Sequence, residues 1–142
     1  MEYADPTKKR KQEEESRLAF LVECVQDLSS NATILDVAIL DLQGTIQVHS
    51  KGCRLHNEEG QAVAQCVANK QLAEENGLRI GGNKYVLQMS DAERLIFREH
   101  QCGAFLWKAA GHILVCTYKD ISATHCSIIS YHWINRLKIR GY

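Results

Sequence analysis

Helical and strand-like spacings of apolar residues alternate along this chain. From Ser16 to Leu28 the apolar residues are three or four positions apart, which predicts an amphipathic helix. Residues 34–42 and 45–49 are rich in branched side chains and flank a Gln-Gly turn, so they predict two strands. The first half of the chain therefore begins with a helix that leads into a strand pair.

The rest of the chain contains a helix, a series of short strands and a last helix. A helix is predicted from Asn57, which can cap it, and the polar residues 70–76 are predicted to be a connection. A final amphipathic helix is predicted from about Ser122 to Ile139. Between them, the predicted strands are 78–80, 83–89, 94–98, 104–109 and 112–118, with breaks at 91–93 and 101–103.

The order of these elements predicts the fold class. Short turns join neighbouring strands, and such turns permit only antiparallel pairing. A run of strands between terminal helices favours an α+β fold over a parallel α/β fold. We therefore expect a central antiparallel sheet of about six to seven strands. The N- and C-terminal helices are expected on one face of this sheet and the shorter middle helix on the other.

The first sixteen residues differ from the rest of the chain. The basic run Lys8-Lys9-Arg10-Lys11 precedes the acidic run Glu13-Glu14-Glu15, and no apolar periodicity is present. Basic residues at the start of a helix oppose its dipole, so the first helix is predicted to begin near the glutamates. Residues 1–16 are accordingly predicted to be a charged, flexible extension, and residues 17–142 a single domain.

Charge and hydropathy limit the partners that we expect. The chain has 17 basic and 17 acidic residues, so no overall field favours binding to nucleic acid. No apolar run reaches the roughly 18 residues that span a bilayer, and the charged N-terminus does not resemble a signal peptide. A cytoplasmic location is expected. The six cysteines form no C-x-x-C pair and are expected to be free thiols.

The sequence contains no motif that predicts catalysis. Glycine-rich phosphate loops, H-E-x-x-H and G-x-S-x-G are absent. His112 and Cys116 share a strand face, but without a tight ligand motif they do not predict a metal site. We therefore expect neither an enzyme nor a metal site.

A glycine-lysine phrase at 77–85 carries the most specific information. Gly77-Leu78-Arg79-Ile80-Gly81-Gly82-Asn83-Lys84-Tyr85 predicts a strand, a tight turn on two glycines and a second strand with a lysine at its entrance. This phrase resembles the centre of profilin sequences, which belong to small proteins that bind actin monomers. The runs that begin at Gly103 and His112 resemble the last strand pair of that family, and the resemblance spans about 16–142.

The resemblance implies a protein of the actin cytoskeleton that binds monomeric actin as a monomer and regulates filament assembly. In the family, the later strands and the start of the last helix form the actin face. Cations at such a rim can meet acidic groups of a partner, and an aromatic ring can anchor the contact. Carried over to this sequence, the implied actin-binding residues are Lys84, Arg98, Lys119, His125 and Tyr131.

The resemblance also implies a groove for proline-rich peptides between the terminal helices. The implied groove residues are Phe20, Trp133, Arg136 and Tyr142. The first helix lacks the tryptophan and tyrosine that the family usually has there, so weak or altered binding is expected. Phosphoinositide binding is a further family property, and the basic residues that would serve it are dispersed here.

A second class of protein shares this order of elements. Roadblock and longin domains also have terminal helices and an early strand hairpin, and they serve as dimeric scaffolds for small GTPases or motors. The number of strands after Gly77 and the glycine-lysine phrase favour the profilin interpretation. Oligomeric state distinguishes the two classes, because an obligate dimer would contradict the profilin interpretation.

Overall fold

The structure is a computed structural model that describes residues 5–119 and 122–142. Within these residues the chain forms an antiparallel sheet flanked by helices on both faces. The helices are α1 (Pro6–Ser29), α2 (Asn57–Ala68), α3 (Lys70–Asn76) and α4 (Ala123–Ile139). The strands are β1 (Ile34–Asp41), β2 (Ile46–His49), β3 (Leu78–Ile80), β4 (Asn83–Ser90), β5 (Arg94–Glu99), β6 (Cys102–Lys108) and β7 (His112–Lys119).

The strands form one sheet in the order β2-β1-β7-β6-β5-β4-β3, with every neighbouring pair antiparallel. One core cluster joins α1 and α4 to one face of the sheet. A second core cluster joins α2 and α3 to the other face. The predicted α+β fold, the number of strands and the placement of the helices are therefore confirmed.

The first helix begins earlier than the sequence suggested. Helix α1 starts at Pro6, because Asp5 caps it by accepting the Thr7 N–H at 3.0 Å and proline suits the first helical position. The predicted start near the glutamates is wrong. Every described residue before Phe20 is exposed, so this part of α1 makes no buried contact. Residues 1–4 lie outside the described residues, and the domain boundary at residue 17 stays a prediction.

Two local predictions also require correction. Residues 70–76 form the short helix α3 instead of a connection, because the Asn69 side chain caps its start and Gly77 ends it with a φ of 64°. Strand β6 begins at Cys102, inside the predicted break, because Cys102 pairs with Glu99 and Lys119. Within the described residues, no helix combines the length and apolarity needed to cross a bilayer.

Candidate functional site

The glycine pair of the 77–85 phrase forms the tip of the β3–β4 hairpin. Gly81 and Gly82 have φ values of 61° and 81°, and two positive φ values in succession give the tight turn that matches the twist of a hairpin. The Glu59 carboxylate, in the first turn of α2, accepts the Gly81 N–H at 2.8 Å and the Gly82 N–H at 3.0 Å. The turn therefore has a structural role, and it places Lys84 opposite Arg79 at the exposed start of β4.

Strand register shows which way the candidate residues face. Val86 pairs with Arg98, Arg98 with Gly103, and Gly103 with Tyr118. Directly paired residues lie on the same face of a sheet. Tyr118 belongs to the core cluster with α1 and α4, so this whole row faces the side of the terminal helices. Lys84 is two residues before Val86 on β4 and shares that side.

The terminal helices leave the β4–β5 part of this face uncovered. Val86 is 58% exposed and Met89 is 47% exposed, although both are large apolar residues of strand β4. Across the neighbouring cleft, α4 presents Ile128 at 63% exposure and Tyr131 at 48%. Exposed apolar groups gathered in this way are typical of protein-binding surfaces. We call this surface the open face; its members are Lys84, Val86, Met89, Arg98, Ile128 and Tyr131.

The Tyr131 ring packs on Trp107, which is itself held by polar contacts. Its ring lies 5.7 Å from the Trp107 ring, and the Trp107 indole N–H donates to the Ser130 hydroxyl at 2.9 Å. The Arg94 guanidinium stacks on Trp107 at 5.3 Å and donates to Ser127 at 3.0 Å. Because Trp107 is fixed by Ser130 and Arg94, the Tyr131 ring that packs on it is ordered at the edge of the open face.

The predicted cations lie at one end of the sheet. Lys119 is exposed at the end of β7 and is paired with Cys102, which is paired in turn with Glu99, the residue after Arg98. Lys84 is at the start of β4, at that same end of the strands. By the alternation of side chains, Lys119 belongs to the opposite sheet face from Arg98, so only its terminal position brings it beside the open face.

His125 is exposed in the first turn of α4, and its Nε2 atom lies 3.4 Å from the Asn31 Oδ1 atom. Asn31 belongs to the turn between α1 and β1, which also accepts the Lys119 main-chain N–H through the Thr33 oxygen at 3.0 Å. Three of the five predicted actin-binding residues therefore belong to the open face, and Lys119 and His125 flank it.

The four predicted groove residues meet between α1 and α4. The Phe20 ring lies 5.7 Å from both the Trp133 ring and the Tyr142 ring. Phe20 is only 4% exposed and Trp133 only 3% exposed, and both belong to the core cluster on this face. We call Phe20, Trp133 and Tyr142 the aromatic cluster. It is a packed group and not an open groove.

Two arginines cover the aromatic cluster. The Arg136 guanidinium lies 4.0 Å from the Trp133 ring centre and 5.2 Å from that of Phe20. The Arg140 guanidinium lies 4.0 Å from the Phe20 ring centre. In addition, the Trp133 indole N–H donates to the Asp27 carboxylate at 2.6 Å. One ring face of Phe20, one of Trp133 and the indole donor are therefore already occupied by groups of this chain.

The position of Tyr142 is set by the end of α4. Gly141 has a φ of 75°, and the Tyr142 N–H donates to the Leu137 oxygen at 3.0 Å, which is the Schellman pattern of a helix end. The main-chain oxygen of Tyr142 accepts the Gly111 N–H at 2.7 Å and lies 2.5 Å from the His112 Nδ1 atom. This anchoring aims the tyrosine ring at Phe20.

An ion pair between the buried Asp36 and the exposed Arg54 lies on the α2 side of the sheet. Burial by itself would raise the pKa of Asp36, but hydrogen bonds from Arg54 and Thr117 outweigh it and lower that pKa below its ordinary value. The Arg54 guanidinium is 2.8 Å from the Asp36 carboxylate, and the Thr117 hydroxyl donates to it at 2.6 Å. Both Asp36 carboxylate oxygens accept hydrogen bonds from Arg54 or Thr117, so these contacts connect β1, β7 and the loop before α2.

The cysteines have the properties of core residues. All six are free, and Cys24, Cys66, Cys116 and Cys126 are buried. Burial raises the pKa of the Cys24 thiol to about 12, and a hydrogen bond with Cys126 together with burial raises the pKa of Cys116. A thiol that stays protonated is a poor nucleophile. Within residues 5–119 and 122–142, no group of three or more His, Cys, Asp or Glu residues could hold a metal ion.

Several residues of these two sites were missed in the sequence. Val86 and Met89 belong to the open face, and Val86 could have been noticed because it places an apolar side chain between Tyr85 and Leu87, which face the other way. Arg140 follows Arg136 by one helical turn, a spacing that is visible in the sequence. The contact of both arginines with Phe20 is a long-range contact that no local pattern indicates.

Comparison with known proteins identifies related sequences. The family model described as Profilin matches residues 21–142. A profilin of Branchiostoma belcheri is 25% identical over 105 residues, which is 73% of this chain and 83% of that protein. Profilin-3 of Caenorhabditis elegans is 24% identical over 102 residues, 71% of this chain and 81% of that protein.

Solved structures show the same fold. Acanthamoeba castellanii profilin IA superimposes with a TM-score of 0.77 at 20% identity, covering 85% of this chain and 98% of that one. The profilin of Schizosaccharomyces pombe gives a TM-score of 0.78 at 19% identity, with the same coverage of 85% and 98%. LokiProfilin1, solved in complex with rabbit actin, gives 0.69 at 16% identity, with 87% and 95% coverage. Mouse profilin IIa, solved with a double repeat from the FH1 domain of mDia1, gives 0.66 at 12% identity, with 83% and 96% coverage.

Proposed function

Because this chain belongs to the profilin family, we propose that it binds monomeric actin through the open face and thereby regulates filament assembly. The observation that carries this proposal is the exposure of Val86, Met89, Ile128 and Tyr131 on one surface. Apolar side chains so placed gain free energy when a partner removes them from water. A relative with this fold, LokiProfilin1, was solved with rabbit actin.

The cations supply the other half of the interaction. Lys84 and Lys119 are exposed at one end of the sheet. Arg98 is half-buried on β5, which lies between the strands that carry the two lysines. Positive charges at the rim attract acidic groups of a partner and mainly raise the association rate. Actin binding should therefore weaken as salt concentration rises, because exposed charges are screened.

The test is a pyrene-actin assembly assay with the full chain and the double variant Lys84→Glu/Lys119→Glu. The unmutated protein should lengthen the lag before spontaneous assembly, because monomers bound to it do not nucleate filaments. Charge reversal at both rim positions should weaken binding by about tenfold or more, since attraction becomes repulsion. The affinity is measured from the dependence of the lag on protein concentration.

A matched control reverses two exposed lysines away from the open face, Lys9→Glu/Lys51→Glu. It changes net charge by the same amount, so a general charge effect would weaken actin binding equally in both double variants. If the unmutated protein has no effect on spontaneous nucleation, actin binding is contradicted. If both double variants lose activity equally, the open face is not the binding surface.

Proline-rich peptide binding is proposed for the aromatic cluster, in weak or altered form. Its rings come from α1 and α4, and aromatic rings suit the preformed polyproline helix. Mouse profilin IIa, which has this fold, was solved with a double repeat from the FH1 domain of mDia1. Calorimetric titration with a proline decamer tests binding, and an absence of heat at millimolar peptide with every variant described below would contradict it. Phosphoinositide binding and a monomeric state stay predictions.

A further inference from the structure

The aromatic cluster has its own internal cover. A proline ring binds an aromatic residue by stacking flat on its face. Here the Arg136 guanidinium occupies that position over Trp133, at 4.0 Å from the ring centre, and Arg140 occupies it over Phe20 at the same distance. A peptide and the two guanidinium groups compete for the same ring faces, so peptide binding requires the arginines to move.

We propose that this site, if it binds proline-rich peptides as suggested above, selects those that carry carboxylates beside the prolines. A neutral proline segment would displace Arg136 and Arg140 without offering them a new partner. An acidic residue next to the prolines offers each displaced guanidinium a paired, charge-assisted hydrogen bond. The same two arginines thus exclude neutral ligands and recruit acidic ones.

The charges around the cluster indicate the direction of approach. Glu23 and Asp27 line the cleft beside Trp133 and Arg136, and Asp27 already accepts the Trp133 indole N–H. On the opposite side, Arg140 and Tyr142 flank Phe20. The carboxylates of the peptide therefore meet Arg140 first, while its prolines reach Phe20 and Trp133 once the guanidinium groups have moved aside.

The spacing of the arginines supports one continuous ligand. Trp133 and Arg136 on α4 and Arg140, the residue that caps its end, follow each other at three and four positions, so they lie along one stripe. Arg140 is exposed and Arg136 half-buried, so both side chains can rotate toward solvent without disturbing the core. An extended peptide that runs along this stripe contacts both charges and the rings between them.

The test uses three peptides that share a proline decamer. One is the decamer alone with neutral ends, one has two glutamates at each end, and one has two lysines at each end. They are titrated by calorimetry into the full chain and into Arg136→Ala/Arg140→Ala. For the unmutated protein we expect the glutamate peptide to bind about tenfold more tightly than the neutral peptide, and the lysine peptide to bind most weakly.

Removal of the arginines should raise the affinity for the neutral peptide and remove most of the preference for glutamate. In Arg136→Ala/Arg140→Ala the neutral decamer should bind more tightly than to the unmutated protein, because the ring faces are uncovered. The preference for glutamate should fall to within about twofold. The variant Arg136→Lys/Arg140→Lys should keep part of the charge preference but lose the planar cover. Lys9→Ala/Arg10→Ala matches the change in net charge on an exposed part of α1 and should behave like the unmutated protein.

The outcomes separate this inference from the functions on which it rests. Equal binding of the neutral and glutamate peptides to the unmutated protein, or a glutamate preference that survives in Arg136→Ala/Arg140→Ala, overturns the arginine selectivity alone. If no peptide binds any variant, the peptide site itself is lost together with the inference. The actin assay, run on the same preparations, reports the open face separately and confirms that each variant is folded.

Discussion

The open face and the aromatic cluster lie on the same side of the sheet, yet they differ in how much of their apolar surface reaches solvent. Val86 is 58% exposed in the former, whereas Phe20 is 4% exposed in the latter. Their cations differ in the same way. Lys84 and Lys119 lie at the end of the open face, whereas Arg136 and Arg140 lie directly on the rings of the cluster.

The open face needs a partner to bury its apolar groups, whereas the aromatic cluster already has internal partners. Apolar groups in water retain the free energy that burial would release. In the aromatic cluster, most of the ring surface is already buried in the fold, and the two arginines add cation–π contacts. A partner of the open face gains new burial, whereas a ligand of the cluster must first replace existing contacts.

The largest effect should come from Phe20→Ala, which tests whether the aromatic cluster is core. Removing a buried phenylalanine leaves a cavity and should lower the free energy of unfolding by about 3 kcal/mol. The melting temperature should fall by about 10 °C, as measured by circular dichroism. Leu18→Ala on the same helix is the control, since Leu18 is 50% exposed and should cost little.

Below its melting temperature, the Phe20→Ala protein should retain the actin activity of the unmutated chain. Loss of actin binding in a variant that is still folded would show that the two regions act as one site.

The next largest effect should come from Asp36→Asn, which lowers stability without touching either region. Loss of the buried carboxylate leaves Arg54 and Thr117 poorly satisfied and should cost about 2 kcal/mol near pH 7. The folded pKa of Asp36 is lowered, so its contribution is complete above the ordinary carboxyl pKa and is lost as pH falls through the lower folded value.

Urea unfolding at about pH 6 and at about pH 3 measures this contribution, because the ordinary pKa of an aspartate is about 4. The stability difference between Asp36→Asn and the unmutated protein should be full at the higher pH and smaller at the lower pH. A constant difference would mean that the charge of Asp36 is not the stabilising feature. Actin and peptide binding should be unchanged at neutral pH, which makes this variant a control for stability alone.

A smaller effect, this time on binding, is expected for Val86→Asp on the open face. An unpaired carboxylate buried against actin should weaken binding by about 1.5 kcal/mol, or roughly tenfold, with little change in the free energy of unfolding. The measurement is the pyrene-actin lag. Leu42→Asp is the control, because Leu42 is 39% exposed in the turn between β1 and β2. Equal loss in both variants would count against the open face.

The smallest effect should come from Tyr131→Ala at the edge of the open face. The variant removes a ring that packs against Trp107 at a tilted angle, and actin affinity should fall by about 1 kcal/mol, or roughly fivefold. Tyr131→Phe keeps the ring and should stay within about twofold of the unmutated protein. If the phenylalanine variant loses as much affinity as the alanine variant, the hydroxyl and not the ring makes the contact.

The sequence predicted the parts of this molecule that depend on local chemistry. The turn at Gly81 and Gly82 follows from their tolerance of positive φ, and the helix and strand periodicities predicted the order of elements. The predicted start of α1 was wrong because the cap at Asp5 and Pro6 outweighed an unfavourable order of charges. The capping residues favour an early start of the helix and the order of charges opposes it, and the sequence does not show which effect is stronger.

What could not be predicted depends on contacts between distant residues. The Glu59 carboxylate holds a hairpin tip 22 residues later, and no motif connects the two. Phe20 could be assigned to the groove only through the family resemblance, and its burial beneath Arg136 and Arg140 depends on how α1 packs against α4. Exposure of Val86 likewise depends on where the helices end on the sheet.

The two tryptophans of the chain are divided between the two regions. Trp107 lies beneath Tyr131 at the edge of the open face, and Trp133 lies beneath Arg136 in the aromatic cluster. With fluorinated tryptophan incorporated, the protein should therefore give two fluorine NMR resonances, each sensitive to one region. Unlabelled actin should shift the Trp107 signal and an acidic proline peptide the Trp133 signal, so a single spectrum can show whether both ligands are bound to one molecule.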